Sequence, residues 1–382
     1  MPKENVIVCR ADFLLPLAAP DRSKRIADGY VLARGETIAE VGPYTPEVGE
    51  RLAKAYGDDL QVIGKRPGEE GIPRLRGVLM PAFVKAHGHD HEQPIIGVAK
   101  DEPLTAWLDH AVNPFTGFMR ERRDELLELL GCSPQLLTYR MARVCDIHYG
   151  ITACMVHHCN HNKFHLEEIA QANEAAERYE TDARSLEEAI SRMERAAAIA
   201  GLKRTSFCPG PDQGFSNSRK MLIPLKRWAR ENGTLFHIHS SEEPKTTKWF
   251  REEIEPGMTP VQYFESIGIL DGESVLAHQV NNGPEDIEIL ARTGTRIVHN
   301  PLANTILGSG MPPIIEMLAA GVEVAISTDG SGSADNQNII AAARLAAQYQ
   351  KALHQDATLL PAGQLLEMIT SVPARILRLN QG

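Results

Sequence analysis

The segment that decides the fold is Val78–His89, with the sequence VLMPAFVKAHGH, an apolar run of strand length that ends in two histidines one residue apart. On a β-strand, residues i and i+2 point to the same side. His87 and His89 are therefore predicted to present two imidazoles to one point, and neutral imidazole is the commonest side-chain metal ligand. The His-x-His pattern alone is weak evidence. It gains weight because three further segments place a His, a His and an Asp just after short apolar runs.

The composition of the chain limits the classes of protein to which it can belong. The 382 residues are 43% hydrophobic and 24% charged, which is enough for a large single-core domain and a small one. The net charge of −10, without any basic block, argues against a nucleic-acid polymer or an anionic membrane as a partner. The six cysteines are scattered, as expected for reduced thiols. Since we find no signal peptide and no apolar stretch of membrane-spanning length, we expect a cytoplasmic protein.

Residues 5–75 predict a small β domain that precedes the main one. Arg34-Gly35-Glu36 predicts a hairpin turn between two of its strands. A segment rich in Gly, Pro and charged residues, 64–76, then leads into the central segment. The strand-like runs of this domain are Val6–Val8, Tyr30–Ala33 and Thr37–Val41.

From Val78 onward, strand and helix patterns alternate, which favours parallel strands joined by crossover helices. Polar residues follow several of these strands, at the end where a (β/α)8 barrel builds its active site. The predicted strands after the central segment are Ile151–Val156, Arg204–Cys208, Thr234–His239, Ser274–His278, Arg296–Val298 and Val322–Ser327. The predicted helices include Ser218–Asn232, Pro284–Thr293 and Ala362–Thr370.

With the central segment, this pattern contains seven strands, one fewer than such a barrel needs. Two helical patterns, Leu166–Tyr179 and Ser185–Ala200, meet with no apolar run between them, so the third strand is predicted to be absent. We favour residues missing from the sequence over a broken barrel, because an open edge would expose unpaired backbone groups. The chain also ends without further strands to pair with those of the N-terminal domain.

Four side chains are candidate ligands of one metal ion. His239 closes the segment His237–His239, which repeats the i, i+2 spacing, and Asp329 follows the last predicted strand. With His87 and His89, these residues make a plausible shell for Zn²⁺ or Fe²⁺ that leaves a position for water. Such an ion would lower the pKa of its water to about 7 and yield a hydroxide nucleophile.

Two further residues are candidate catalytic groups. Glu242 follows His239 by three residues and is the natural proton shuttle. His278, at the end of its own strand, could hold the hydroxide or polarise the group under attack. Each candidate also has a structural explanation: His278 as a hydrogen-bonded core histidine, Asp329 with Gly330 as a turn, and Glu242 as a carboxylate at a helix N-terminus. These explanations do not account for the coincidence of all of them.

A dense histidine stretch follows the strand Ile151–Val156. We predict that His157 or His158 faces the pocket and that the other histidines are solvent-exposed or support the site. A metal-storage tract is the alternative. The stretch comprises His148, His157, His158, His161 and His165. The sequence contains no His-Glu-x-x-His motif and no phosphate-binding Gly-x-x-x-x-Gly-Lys-Ser/Thr loop.

With these residues in place, the chain resembles the amidohydrolase superfamily, in the branch of metal-dependent heterocycle aminohydrolases. That branch includes adenosine/S-adenosylhomocysteine/methylthioadenosine deaminases, guanine, oxoguanine and pterin deaminases, and triazine hydrolases. The segments that carry the resemblance run in the family's order across nearly the whole chain. They are Met80–His89, Gly97–Leu108, Gly150–Ala153, His237–Glu242, Leu276–His278, His299–Gly310 and Ser327–Gly330.

The resemblance implies a fold of the α/β class, a (β/α)8 TIM-type barrel with a small β-sandwich domain made from both chain ends. Residues 1–77 would form the N-terminal part of the sandwich, 78–371 the barrel, and 372–382 the start of the return to the sandwich. The resemblance also suggests a homo-oligomer.

The resemblance further implies one divalent metal ion, zinc or alternatively iron, held by His87, His89, His239 and Asp329. One ion is expected because Arg204–Cys208 contains no lysine, whereas binuclear relatives carry a carboxylated lysine there. Asp329 would also take the proton from the metal-bound water, with Glu242 and His278 as catalytic partners.

Substrate contacts are expected from Glu92, Trp107 and Asn304, as well as from His157 or His158. Ala82 replaces the usual glycine after Pro81, and Asp90-His91-Glu92 is an unusual continuation of the His-x-His. A carboxylate at Glu92 suggests a substrate with ring N–H or amino donors, because an unmatched buried charge would be costly.

The predicted activity is hydrolysis of an exocyclic amino group on an aromatic nitrogen heterocycle, with release of ammonia. Purine, pterin, pyrimidine and triazine rings remain open as substrates. One alternative is a triazine-type hydrolase that displaces halide or alkylamine, or opens a cyclic amide. The other is a non-catalytic barrel that serves as a scaffold.

Overall fold

The computed structural model describes residues 5–17, 24–158, 176–179, 186–200 and 205–379. These residues form two compact units, one of residues up to Ala82 and one that spans Phe83–Leu379. Within the described ranges, no helix is both long enough and apolar enough to cross a membrane.

The first unit is built on a five-stranded sheet centred on its first strand. This strand pairs antiparallel with the second strand and parallel with the fourth and fifth. The predicted hairpin turn is present, with Gly35 at a φ of 57° between the second and third strands. The elements are β1 (Val6–Leu14), β2 (Ile26–Arg34), β3 (Thr37–Pro43), α1 (Pro46–Tyr56), β4 (Leu60–Val62) and β5 (Leu75–Leu79).

The core of the first unit lies between this sheet and α1, a helix that strand patterning did not predict. Thr45 caps α1 by accepting a hydrogen bond from the Val48 N–H, and Pro46 begins the helix. Leu52 is fully buried on its inner face. It packs with Val6, Val8, Tyr30, Leu32 and Ile72.

The second unit contains two four-stranded sheets whose neighbouring strands are all parallel and follow chain order. One sheet comprises β6 (Phe83–Lys85), β7 (Ile151–Val156), β8 (Ala176–Tyr179) and β9 (Phe207–Pro209). The other comprises β10 (Phe236–Ser240), β11 (Ser274–His278), β12 (Arg296–His299) and β13 (Val324–Ile326).

Helices separate most of these strands, as the alternating pattern predicted. They are α2 (Leu104–Trp107), α3 (Asn113–Glu121), α4 (Arg123–Leu130), α5 (Pro134–His148), α6 (Leu186–Ala200), α7 (Arg219–Glu231), α8 (Pro244–Trp249), α9 (Pro260–Ser266), α10 (Pro284–Thr293), α11 (Pro301–Ile306), α12 (Ile314–Ala319), α13 (Ser331–Ala334), α14 (Ile339–His354), α15 (Ala362–Met368) and α16 (Ser371–Ile376). Short π-helical turns follow α2 and α8, at Leu108–Val112 and Phe250–Ile254.

Strand β11 shows why the sequences of these strands are continuous apolar runs. Both of its faces are covered, as is usual in parallel sheets. Leu276 packs into the cluster formed with the helices, whereas Val275 belongs to a second cluster that contains Val298 of β12 and Ala325 of β13.

The strand predicted to be absent is present as β8, so that prediction is wrong. Residues Ala176–Tyr179 pair in parallel with β7 on one side and β9 on the other. Their sequence, AERY, contains no apolar run, and hydrophobic periodicity cannot identify such a strand. Pairing of its backbone with two neighbours defines it instead. The rest of the helix predicted at Leu166–Tyr179 lies outside the described residues.

The central segment is also not one strand. Val78 and Leu79 end β5 of the first unit, whereas Phe83–Lys85 form β6 of the second. Between the two strands lies Pro81, which has no N–H to donate to a sheet. Because β6 ends at Lys85, His87 and His89 lie beyond its end, and the strand geometry expected for them is wrong.

We predict that Leu276→Ala lowers the free energy of unfolding by about 2–5 kcal/mol, because it leaves a cavity in the packed core. Leu276 is fully buried, whereas Leu353 on α14 is 61% exposed. Leu353→Ala is therefore the matched control and should change stability by less than about 0.5 kcal/mol. Denaturant titration measures both. Equal effects of the two substitutions would contradict the burial of β11.

Candidate metal centre and active site

The candidate site lies at the carboxyl ends of the parallel strands. His87 and His89 follow β6, His239 lies on β10, His278 ends β11, and Asp329 follows β13. Because parallel strands end at the same edge of a sheet, side chains from distant parts of the sequence meet there. All of these residues are buried except His89, whose side chain remains 13% exposed.

The structure brings the four predicted metal ligands together. Asp329 Oδ1 lies 3.2 Å from His87 Nε2 and 3.5 Å from His89 Nε2. His89 Nε2 lies 3.1 Å from His239 Nε2. Ligand atoms of His87, His89 and Asp329 are all within 4.8 Å of one another, a separation that one ion can bridge.

Hydrogen bonds at the other ring nitrogens indicate the tautomers of these histidines. His89 Nδ1 contacts the carbonyl oxygen of His157 at 3.0 Å, and His239 Nδ1 contacts that of Asp212 at 2.7 Å. A carbonyl only accepts, so both Nδ1 atoms carry the proton. In the neutral ring each Nε2 then presents a lone pair to the site. Burial lowers the pKa of His89 well below its usual value, which favours the neutral ring.

His87 has the same tautomer, but its Nδ1 proton is accepted by His237 rather than by a backbone carbonyl. His237 Nδ1 donates to the carbonyl oxygen of Val275 at 2.7 Å, which leaves its Nε2 as an acceptor. His87 Nδ1 lies 2.7 Å from that Nε2 and donates to it. The Nε2 of His87 therefore directs a lone pair toward Asp329.

These donors fit a divalent cation. Three unprotonated Nε2 atoms and a carboxylate oxygen converge, and within the described part of the chain no hydrogen-bond donor reaches Asp329 Oδ1. Lone pairs 3.1 Å apart on His89 and His239 repel each other unless a cation lies between them. Three imidazoles and one carboxylate are a common set for zinc and also suit ferrous iron.

Glu242 and His278 lie beside the candidate ligands. Glu242 Oε2 accepts a hydrogen bond from Gln213 Nε2 at 3.0 Å, and its Oε1 lies 3.6 Å from His278 Nε2. Burial, reinforced by the charge of Asp329, raises the pKa of Glu242 to about 8. His278 Nδ1 lies 2.9 Å from Asn304 Oδ1, and its Nε2 lies 3.8 Å from Asp329 Oδ2. Burial lowers the pKa of His278 below its ordinary value.

A cavity of about 520 Å³ opens onto this group. Its floor carries His89, His239, Glu242, His278 and Asp329. Most of the surface that lines it is apolar, which suits a flat ring held by a few polar contacts. The apolar wall consists of Leu104, Trp107, Leu108, Val112, Phe215, Trp249 and Leu307.

Glu92 lines the same cavity and is held firmly. Its Oε2 accepts hydrogen bonds from the backbone N–H of Ser333 at 3.0 Å and from the Ser333 hydroxyl at 2.9 Å. Burial and the nearby Asp329 carboxylate raise the pKa of Glu92 well above its usual value. The carboxyl lies so close to Gly330 that a Cβ there would overlap Oε2. His89, His91 and Glu92 also lie within 4.8 Å of one another, but both ring nitrogens of His89 already face other groups.

Of the residues predicted to contact substrate, Glu92 and Trp107 line the cavity. His157 packs beside His239, with ring centroids 4.6 Å apart, whereas His158 Nδ1 contacts the Tyr139 hydroxyl at 2.8 Å. Asn304 contacts His278. Among the described residues, none of these three lines the cavity, and Asn304 supports the site through its contact with His278. His161 and His165 of the histidine stretch lie outside the described residues.

Sequence reasoning missed two supports of the site, Asp212 and Gln213. The first positions His239 through its carbonyl oxygen, and the second holds Glu242. Both follow β9 after Pro209-Gly210-Pro211. A wider rule, a polar residue in the loop after a predicted strand, would have identified Gln213. Asp212 acts through a backbone carbonyl, which its residue type does not signal.

Comparison with known proteins identifies the family. A model of the amidohydrolase family matches residues 78–382, and this chain therefore belongs to that family, as the sequence resemblance predicted. The 5-methylthioadenosine/S-adenosylhomocysteine deaminase of Thermococcus sibiricus is 31% identical over 86% of this chain and 80% of its own length. The protein of the same name from Desulforudis audaxviator is 30% identical over 98% of this chain and 80% of its own length.

Solved structures share the fold. An adenosine deaminase from Xanthomonas campestris with bound zinc matches 97% of this chain and 80% of its own chain, with a TM-score of 0.76 and 19% identity. A guanine deaminase from C. acetobutylicum with bound guanine matches 98% and 87%, with a TM-score of 0.78 and 18% identity. At such identities the likeness establishes the fold alone.

We predict that Glu242→Gln stabilises the metal-free protein at alkaline pH. The pKa of Glu242 is raised to about 8 by folding, so the native state binds more protons than the unfolded state between its ordinary pKa and that value. The stability of the wild type should therefore fall as the pH rises through this range. The variant should lack this loss and exceed the wild type at pH 9 by more than about 1.4 kcal/mol, the equivalent of one pKa unit. Identical denaturation curves at pH 5 and pH 9 for the two proteins would contradict the raised pKa.

Proposed function

We propose that this protein is a metal-dependent hydrolytic deaminase. It replaces an exocyclic amino group of an aromatic nitrogen heterocycle with oxygen and releases ammonia. The observation that carries the proposal is the convergence of three Nε2 lone pairs and the Asp329 carboxylate beside a protonatable Glu242. The relatives named as deaminases support the same chemistry.

The proposed metal ion is one zinc per chain, with iron as the alternative, held by His87, His89, His239 and Asp329. The support for this assignment is the donor set itself, because imidazole nitrogen and carboxylate oxygen are ordinary ligands of both ions. No cysteine sulfur lies among the grouped donors in the described ranges. When bound, the ion supplies a hydroxide nucleophile near neutral pH.

The residues of the chain then have separate roles. Asp329 accepts the proton of the attacking water. Glu242, protonated near neutral pH because of its raised pKa, delivers its proton to the ring nitrogen. It then takes the proton of the newly added hydroxyl group and passes it to the departing amine. The proton held by Asp329 finally restores Glu242. His278 lies 3.6 Å from Glu242 and 3.8 Å from Asp329, where, once protonated at Nε2, it stabilises the negative charge that develops on the attacked group. Asn304 and Gln213 hold His278 and Glu242 in place.

The substrate is held between the polar floor and the apolar wall of the cavity. In this proposal, the ring stacks against the apolar wall near Trp107, and Glu92 accepts hydrogen bonds from ring N–H or amino groups. Its Oε2 is occupied by Ser333, which leaves Oε1 for this contact. Hydrogen bonds from the donors of the ring favour the ionised carboxylate and so oppose the burial that raises its pKa. Methylthioadenosine and S-adenosylhomocysteine, for which the two relatives are named, are the first compounds to test.

The architecture that goes with this function is a (β/α)8 barrel with a small β-sandwich domain. Two contacts between the sheets of the second unit support closure of the barrel. The Ser327 hydroxyl after β13 donates to the carbonyl oxygen of His87 at 2.6 Å. Gln213 after β9 forms a parallel bridge with His239 of β10. In this assignment, the first unit, up to Ala82, belongs to the sandwich, and the second unit, Phe83–Leu379, forms the barrel.

We expect Glu242→Gln to lower kcat by at least about 100-fold, since it removes the proton shuttle while it keeps the shape and the contact with Gln213. Metal content, measured by elemental analysis, should stay at the wild-type value. Glu243→Gln is the matched control, because the neighbouring carboxylate contacts Thr105 at 3.3 Å and belongs to no group of candidate ligands. Its rate should stay within about threefold of the wild type, well below the effect of a lost shuttle. An unchanged rate in Glu242→Gln would refute the proposed shuttle.

We expect ammonia release from at least one member of a panel of aminated purines, pterins, pyrimidines and triazines. Treatment with a chelator should abolish the release, and added zinc should restore it. Chloride and alkylamine release are measured in parallel on substituted triazines. Release of either of these without ammonia from any amine would replace the deaminase assignment with the triazine-type hydrolase.

A further inference from the structure

A cluster of four charged residues, three of them buried, lies next to the candidate ligands, and the proposed mechanism does not use it. Lys85, the last residue of β6, is 1% exposed. Its Nζ donates to Asp146 Oδ1 at 3.0 Å, to Gln337 Oε1 at 3.1 Å and to Asp90 Oδ1 at 3.4 Å. A buried ammonium is tolerated only where its donors are satisfied in this way.

The cluster is balanced in charge. Arg143 on α5 lies 2.5 Å from both carboxylate oxygens of Asp90 and 2.8 Å from Asp146 Oδ2. Two cations therefore face two carboxylates, and Asp90 and Asp146 are each 2% exposed. Such clusters add little net stability but hold their members in one arrangement, because breaking any pair leaves a buried charge uncompensated.

The side chain of Lys85 supports the histidine pair directly. Gly88 is the residue between His87 and His89, and a Cβ placed on it would lie 3.0 Å from Lys85 Cε and 3.1 Å from Lys85 Cδ. The stem of the lysine thus packs under the backbone that carries both imidazoles. Beyond the pair, Asp90 follows His89 directly and binds the lysine head. The His-x-His loop is held at its middle and at its end by one side chain.

The same lysine is linked to the strand that carries the carboxylate ligand. Gln337 Oε1 accepts from Lys85 Nζ and also from the Thr328 hydroxyl at 2.6 Å. Gln337 Nε2 donates to the backbone carbonyl oxygen of Asp329 at 3.2 Å. The lysine head therefore connects the loop after β6 with the loop after β13, which together supply three of the four proposed ligands.

We propose that Lys85 is a positioning residue that fixes the distance between the His87-Gly88-His89 loop and Asp329 and thereby sets the affinity for the metal ion. The inference rests on the proposed metal centre. It predicts that loss of the lysine loosens the ligand set, so that the ion binds more weakly even where the protein stays folded. Groups that orient metal ligands typically contribute about 10- to 100-fold to metal affinity.

The chain offers a matched control in a second buried lysine. Lys226 on α7 is 1% exposed, and its Nζ donates to Asp271 Oδ1 at 2.6 Å and to the Ser274 hydroxyl at 2.8 Å. Neither partner is a candidate ligand or a ligand's neighbour in sequence. Lys226→Met removes the same buried functional group, here from a half-buried acid partner, and therefore reports the effect of lost stability alone.

The experiment measures the zinc affinity of the metal-free full-length protein by competition with a chromophoric chelator. It compares the wild type, Lys85→Met/Asp146→Asn, Gln337→Ala and Lys226→Met. The double substitution removes one positive and one negative charge, so the cluster stays balanced. Gln337→Ala keeps all four charges and removes the amide that links Lys85 to Asp329, together with its contacts to Thr328 and Ser331. Denaturant titration shows which variants are folded.

We expect zinc binding to weaken about 10- to 100-fold in Lys85→Met/Asp146→Asn and in Gln337→Ala, and to remain within about threefold of the wild type in Lys226→Met. If the double variant does not fold, Gln337→Ala decides the outcome. Wild-type zinc affinity in a folded Lys85 or Gln337 variant would overturn the inference, and so would equal weakening in Lys226→Met. If the wild type itself binds no zinc, the proposed metal centre is wrong and the inference fails with it.

Discussion

The carboxylate of Asp329 lies within 4 Å of imidazole nitrogens from His87, His89 and His278, at a place where water has little access. A buried carboxylate is costly unless a cation or hydrogen-bond donors neutralise it. Here the neighbouring nitrogens turn lone pairs toward it, because the protons of His87 and His89 are committed to other acceptors. The arrangement is unfavourable for the protein alone and favourable around a cation. This constraint connects the fold to the proposed chemistry.

The fold meets the constraint by fixing each ligand from behind. His239 and His89 donate to backbone carbonyls, His87 donates through His237, and the loop that carries the histidine pair packs on Lys85. None of these contacts depends on an ion. The site is therefore pre-organised, which lowers the entropic cost of metal binding and keeps the reacting groups at fixed distances. The raised pKa of Glu242 arises from the same burial.

Sequence alone predicted side chains that the structure brings together, because the candidate ligands follow a simple rule. Each stands just after an apolar run, and parallel strands end at one edge. The two side chains converge on Asp329 as expected, although His87 and His89 lie beyond β6 rather than on it. It failed for β8, whose four residues show no apolar pattern. It also could not separate cavity-lining residues from supporting ones, because the directions of His158 and Asn304 depend on Tyr139 and His278, which are distant in sequence.

X-ray absorption at the zinc edge of the reconstituted protein tests the central claim most directly. The account predicts one ion with about four nitrogen or oxygen neighbours at about 2.0–2.2 Å, together with the multiple-scattering signature of about three imidazoles, the number of histidines in the proposed ligand set. A shell that contains sulfur at about 2.3 Å would contradict it. A spectrum of hydrated zinc without imidazole scattering would contradict it as well.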